Sequence, residues 1–435
     1  MISRRDVMIA GAASAVAGAA NAAVQRPSSP FPKGFLWGAA TAGHQIEGNN
    51  VASDMWFVEN LKPTFYPERS GDACNSFDLW PTDLDLVKHI GLNSYRFSLE
   101  WARIEPEQGQ FSVAMLDHYK TIIDGCRARD IHPFVTFNHY SAPRWFAAQG
   151  GWTNTQAPGL FARYCEKAAR HLAGGIGHAA TLNEPNMPLL IKDLLPASAS
   201  AGIRAIYRAA GDALGSSKFT LSQIILPDDV PTAIANLIAA HKGGRAAIKA
   251  VRPELPVGAC LSMADDQAVG ADSLRDNKRK DYYGAWLEAV TGDDFVGVQN
   301  YHRTLWNARG KMPAPKDGPR NIDGTEVYAP SLANAVRYAH QQTRCPIIVS
   351  EHGVDTPDDS IRAWLIPAAL KELSQAIGDG VPVLGYYHWS LMDNFEWSLG
   401  YSHRYGLASV DRTTFKRSLK PSAAAYRSIA QRNML

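Results

Sequence analysis

Eight short apolar runs punctuate the chain: Gly34–Ala40, Ser94–Trp101, Pro133–Tyr140, Ala179–Asn183, Pro256–Ser262, Asp294–Tyr301, Pro346–Ser350 and Val383–Ser390. They are rich in Val, Ile, Phe and Tyr, and several lack polar alternation, as strands buried on both faces do. Between them, Asp83–His89, Met115–Arg129, Gly159–Leu172, Thr232–Val251 and Leu332–Gln342 carry apolar residues at helical spacing. Thr82 is expected to cap the first of these helices and Gly91 to end it. Strand and helix alternating about eight times predicts a closed parallel (β/α)8 TIM barrel forming one domain over residues 33–435. An open doubly wound sheet is the alternative. Two stretches break the rhythm, Leu189–Asp229 and the Pro- and Gly-rich Asn307–Val327. Both follow strand ends, so both are expected over the barrel mouth.

The first residues read differently. Arg4 and Arg5 precede the apolar stretch Val7–Ala20, and Ala20-Asn21-Ala22 has the form of a cleavage site. Residues 1–22 are therefore expected to be a bacterial twin-arginine export signal, directing the protein to the periplasm or the exterior. Residues 23–32, polar and Pro-rich, read as a linker. The apolar run is too short to span a membrane, and no other span is expected.

Composition narrows little. Of 435 residues, 46% are hydrophobic and 20% charged, with a net charge of +2, so no basic footprint points to nucleic acid. The five cysteines are scattered, with no C-x-x-C pair, which argues against a zinc ribbon or a thioredoxin-like motif. An oxidising compartment permits a disulfide, but an odd count leaves at least one thiol free. Mostly buried single cysteines are expected. The zinc-protease pattern H-E-x-x-H is absent. Gly211–Lys218 is only faintly like a P-loop, and Gly175-x-Gly177 precedes its strand, so neither marks a nucleotide site. No metal and no organic cofactor is expected.

In a barrel, chemistry gathers where strands end. The fourth run ends T-L-N-E-P-N, with Asn183 and Glu184; the seventh ends I-I-V-S-E-H-G, with Glu351. The second carries Arg96, the third ends at His139, the sixth at Tyr301, and the eighth leads through Trp389 to Glu396 and Trp397. A carboxylate straight after an apolar strand is costly unless paired or solvated. One such Glu reads as an ordinary rim salt bridge. Two, on strands facing each other across an eight-strand ring, suit glycoside hydrolysis, where one protonates the leaving oxygen and the other attacks the anomeric carbon.

Six blocks in order resemble the family 1 glycoside hydrolases, the β-glucosidase family: 31–48 (FPKGFLWGAATAGHQIEG), 95–106 (YRFSLEWARIEP), 181–185 (TLNEP), 294–301 (DFVGVQNY), 350–353 (SEHG) and 389–407 (WSLMDNFEWSLGYSHRYGL). The resemblance implies a retaining exo-β-glycosidase with Glu351 as nucleophile and Glu184 as acid/base. It implies Arg96 and Tyr301 flanking Glu351, and Asn183 bonding the sugar 2-hydroxyl. It further implies Gln45, His139, Glu396 and Trp397 on the other hydroxyls, Trp389 as a stacking platform and Tyr405 on the pocket wall. Glu47, Trp37, Asn394 and Glu100 read equally as supporting or merely structural. Departures from the family pattern are His352 for Asn, Gln299-Asn300 before Tyr301, His44 for Tyr, and Tyr140 after His139. None of them is expected to touch the two carboxylates, so they bear on fine specificity and not on the reaction. Residues 189–229 do not match the expected pattern, which leaves the aglycone open.

The implied partner is a small, non-phosphorylated β-glycoside, glucose first, with galactose or fucose tolerated. A transglycosylase with the same carboxylates, or a non-catalytic sugar-binding protein on the same fold, are the alternatives.

Overall fold

The computed structural model describes residues 31–193 and 196–435. The expected export signal, and the linker as far as residue 30, lie outside the described residues. Eight parallel strands form a closed ring: β1 (Leu36–Ala40), β2 (Ser94–Ser98), β3 (His132–Asn138), β4 (His178–Asn183), β5 (Val257–Ser262), β6 (Val296–Asn300), β7 (Ile347–His352) and β8 (Val383–Trp389). They neighbour one another in chain order. β8 closes on β1 with Leu36 opposite Gly385, which excludes the open sheet.

Two apolar layers explain the unbroken apolar runs. Phe134, Phe295, Ile348 and Tyr387 pack with the small Ala40, Ala180 and Cys260 inside the ring. A larger cluster, including Val135, Leu182, Val298 and Val349, fills the space between strands and helices. All five cysteines are buried and free. No helix among the described residues is long and apolar enough to cross a membrane.

Some boundaries differ from the sequence expectation. The second run stops at Ser98, because Trp101–Ile104 turns into a short helix. The first expected helix begins at Ser76, so Thr82 lies inside it and is not its cap. Pro81 lies within this helix and Leu79 departs from helical geometry, so the chain is already turning before Thr82. The helices Asp359–Gly378 and Pro421–Arg432 escaped the periodicity reading. Residues 189–229 contain a true helix, Ala197–Leu214. Its Ile203, Ile206 and Tyr207 join Met55, Val58, Phe219 and Phe395 in a second apolar cluster. Asn307–Val327 is mainly irregular, apart from the short strand Gly310–Lys311.

Two bulges set the direction of side chains at the barrel mouth. On β7, Val349 pairs with Val298 but Glu351 pairs with Gln299, so Ser350 is an inserted residue. Ile347 and Val349 face the helices, and simple alternation would send Glu351 there too. The bulge returns it to the barrel mouth. On β4, Ala180 pairs with Gly258 and Asn183 with Cys260, again with one residue extra. Ala180 faces the interior and Leu182 the helices, so Asn183 points inward only because of that insertion.

Candidate active site

Glu351 sits at the centre of a cradle of donors. Arg96, on β2 and fully buried, gives its Nη1 to Glu351 Oε1 at 2.6 Å. Gln299, at the end of β6, gives its Nε2 to the same oxygen at 2.8 Å. Tyr301, one residue past β6, donates its hydroxyl to Oε2 at 2.6 Å. Arg96 and Gln299 also donate to Asn183 Oδ1, at 2.6 and 2.7 Å. The close packing continues after the nucleophile candidate. A Cβ on Gly353 would stand 2.1 Å from the Trp389 carbonyl oxygen, so only glycine fits the end of S-E-H-G.

Glu184 follows β4 with a positive φ of 43°. The Tyr140 hydroxyl donates to its Oε2. Burial, followed by the negative charge of Glu351, pushes its carboxyl up to about 7, against the hydrogen bonds from Tyr140 and Ser262. Burial also raises Glu351, but the charge of Arg96 and the donors Tyr301 and Arg96 oppose it. Two acids of one type are thus set apart by their neighbours. Both carboxyls are raised, but Arg96 and Tyr301 favour the ionised form of Glu351, whereas Glu184 faces the Glu351 charge.

The rest of the expected set gathers round this pair. Both carboxyls line a cavity of about 290 Å³, together with His139, Tyr301, Trp389, Glu396, Trp397 and Tyr405. A larger surface cleft of about 570 Å³ beside Arg204 and Lys218 brings no such acid pair together. His139 stacks between Trp389 and Trp397, with ring centroids 5.6 and 6.1 Å away. Tyr405 meets Tyr301 edge-on at 5.8 Å. Gln45, behind the cavity, donates to Asn394 Oδ1, the Phe395 carbonyl and Glu396 Oε2.

Four buried polar atoms here lack protein partners: Gln45 Oε1, His139 Nδ1, Gln299 Oε1 and Glu396 Oε1. Asn183 fixes the histidine's state. Its oxygen is taken by Arg96 and Gln299, so its amide nitrogen donates to His139 Nε2 at 3.1 Å. Burial, then Arg96, pushes His139 well below its usual range, so it is neutral with the proton on Nδ1. The cluster therefore offers one unused donor and three unused oxygens, the chemistry of a polyhydroxylated ligand.

Glu396 differs from a simple reading of its type. Burial, then the charges of Asp355 and Glu351, push it up to about 8, which favours the neutral carboxylic acid over the carboxylate.

The supporting residues sort themselves out. Asn394 touches Gln45. Glu100 accepts from the His44 backbone and Asn50, and Glu47 pairs with Arg103, forming a buried polar layer beside the site. His44 carries this layer to the cavity by stacking on Trp397 at 5.6 Å while its Nε2 meets Glu59. Trp37 bonds Asn433 and packs on Phe31 and Phe35, away from the site. His352 bonds the Tyr386 hydroxyl. The structure corrects the expectation that none of the departures from the family pattern touches the two acids: Gln299 bonds Glu351 and Tyr140 bonds Glu184. Their signal was their place at the ends of the sixth and third strands.

A model of glycosyl hydrolase family 1 matches residues 27–210 and 310–435. The chain is 30% identical to a β-glucosidase of Agrobacterium sp. over 92% of its own length and 95% of that protein. It superposes on the crystal structure of the β-glycosidase BGL167 with a TM-score of 0.88, at 42% identity, covering 93% of this chain and 98% of that one. A β-glucosidase of Thermotoga maritima in complex with glucoimidazole gives a TM-score of 0.80 at 25% identity, over 93% of this chain and 100% of the other. With its barrel, its paired acids and these likenesses, the chain belongs to glycosyl hydrolase family 1.

Proposed function

We propose that the protein is a retaining exo-β-glycosidase acting on non-phosphorylated β-glycosides, with β-glucosides first. The carrying observation is the contrast between the two acids of one cavity. Glu351 is surrounded by Arg96, Gln299 and Tyr301, whereas Glu184 is raised to about 7. In the first step a Glu351 oxygen attacks the anomeric carbon. The bond to the leaving oxygen breaks, and Glu184 passes its proton to that oxygen. In the second, the ionised Glu184 takes a proton from water, whose oxygen displaces Glu351 and frees the sugar. Asn183, held by Arg96 and Gln299, stands ready for the 2-hydroxyl, where a hydrogen bond strengthens in the transition state. His139 Nδ1, Gln45 Oε1 and Glu396 Oε1 supply partners for further hydroxyls, over the Trp389 ring.

The deciding experiment is proton NMR of the sugar released from p-nitrophenyl β-glucoside, before mutarotation. The β-anomer appearing first supports double displacement; the α-anomer would overturn it. Arg4, Arg5 and the Ala20-Asn21-Ala22 site support export by the twin-arginine route to the periplasm or beyond.

A further inference from the structure

The two ends of the cavity differ in chemistry. The glycone end, around Glu396, Gln45 and His139, carries unused buried polar atoms. Among the described residues, the end beyond Glu184 does not. Met187 and Ile191 belong to the short helix Met187–Ile191, which follows Glu184 after two residues. Ile224 enters from the segment after the helix Ala197–Leu214, and Leu399, 46% exposed, comes from the turn after Glu396. Gln223 and the exposed Ser398 are the polar side chains added on these segments.

We propose that this end binds the leaving group, and that it takes a hydrophobic alcohol in preference to a second sugar. The inference rests on the glycosidase reading above and deepens it. Glu184 gives the direction: its proton goes to the leaving oxygen, and Met187 and Ile191 stand on the helix that directly follows it, whereas the unused polar atoms belong to Gln45, His139 and Glu396. A sugar there would bring several hydroxyls against Met187, Ile191, Ile224 and Leu399, and each hydroxyl without a partner counts against binding. An apolar chain gains by leaving water for the same surfaces.

The wall is firmly held. Ile224 packs on the cluster of Ile203, Ile206 and Tyr207, and the Tyr207 hydroxyl donates to its carbonyl oxygen. Ile224 and Gln223 lie in the stretch between residues 210 and 310 that the family model does not match, whereas Met187, Ile191 and Leu399 lie within the matched ranges. One cavity holds both the acid pair and this apolar end, so the occupant is the rest of the substrate and not a separate ligand.

The test uses n-alkyl β-glucosides from butyl to octyl, below their micelle concentrations, with cellobiose and p-nitrophenyl β-glucoside alongside. The alkyl alcohols are almost equally poor leaving groups, so their differences report binding. In the wild-type enzyme kcat/KM should rise about two- to fourfold per methylene until the chain leaves the cavity. Ile224→Asn and Met187→Gln should each flatten the rise. A flat series in the wild type, or cellobiose cleaved as well as octyl glucoside, overturns the aglycone assignment alone. No hydrolysis of any of them, the nitrophenyl glucoside included, overturns the glycosidase reading and this inference with it.

Discussion

Arg96 Nη1 stands 2.6 Å from Glu351 Oε1, with Arg96 fully buried and Glu351 only 3% exposed. A pair so enclosed is sensitive to the loss of either member, because the survivor keeps a buried charge without compensation. Burial alone would raise the Glu351 carboxyl, and Arg96 is the largest influence against it. The nucleophile must be ionised to attack. Arg96→Met should therefore move the acid limb of the kcat/KM profile to higher pH and lower the plateau by at least about 10²-fold. It should also cost about 3–5 kcal/mol in unfolding free energy. An unmoved acid limb would separate Arg96 from the ionisation of Glu351.

Glu351→Ala should abolish turnover of aryl β-glucosides. Azide should restore part of it by entering the space of the lost carboxylate, giving the α-glycosyl azide. The product's anomeric configuration is the measurement. A β-azide, or unimpaired hydrolysis by the clean variant, contradicts the nucleophile role.

Glu184 works as an acid in its protonated form, so activity should fall as pH rises through about 7. Tyr140 donates to the ionised form and thereby lowers this pKa. Removing that donor in Tyr140→Phe should raise it, shifting the alkaline limb to higher pH. Glu184→Ala should harm glycosides with poor leaving groups about 10²–10⁴-fold, and activated aryl glycosides much less in the glycosylation step. A fixed alkaline limb in the first variant, or equal losses in the second, counts against the acid role.

A glucoside 6-phosphate should be a poor substrate. With Glu396 raised to about 8, the exclusion does not come mainly from a charge on that residue at neutral pH. It comes from a lining that holds no Lys or Arg among the described residues, and from the nearby Glu351 charge, facing a group of about −1.5 to −2. The kcat/KM for p-nitrophenyl β-glucoside should exceed that of its 6-phosphate by about 10²-fold or more. A preference for the phosphate would falsify the neutral-sugar assignment.

Replacing Arg4 and Arg5 together by Lys should leave the precursor in the cytoplasm, with no cleavage near Ala22. Fractionation and the N-terminal sequence of the mature protein decide it. Normal export of the double variant rules out the twin-arginine route.

Much of the site was legible in the sequence because strand ends in a barrel share one face. Asn183 and Glu184 after T-L, and Glu351 after I-I-V-S, announced themselves as polar groups at the ends of apolar runs. Gln299 was less visible, since an amide in V-Q-N-Y carries no charge to make its burial conspicuous. Its role exists only where β6 lies beside β7 and brings it to Glu351 and Asn183 at once. The helix Ala197–Leu214 was also missed, although Ile203, Ile206, Tyr207 and Ala210 stand at helical spacing among its Ala and Ser residues; Met55, Phe219 and Phe395 cover that stripe.

Although three helices were missed, the strand order, the barrel and the two candidate acids were legible in the sequence alone, because apolar runs, the residue types at their ends and the six family blocks point to them. Which way those acids face was not. Strict alternation along β7 would have buried Glu351 against the helices, and the bulge at Ser350 reverses it. The same holds for Asn183 on β4. Nor does any single segment reveal that Glu184 is raised to about 7 and Glu396 to about 8. Those values arise from burial and from charges far away in the chain, which only the closed fold brings within a few ångströms of one another.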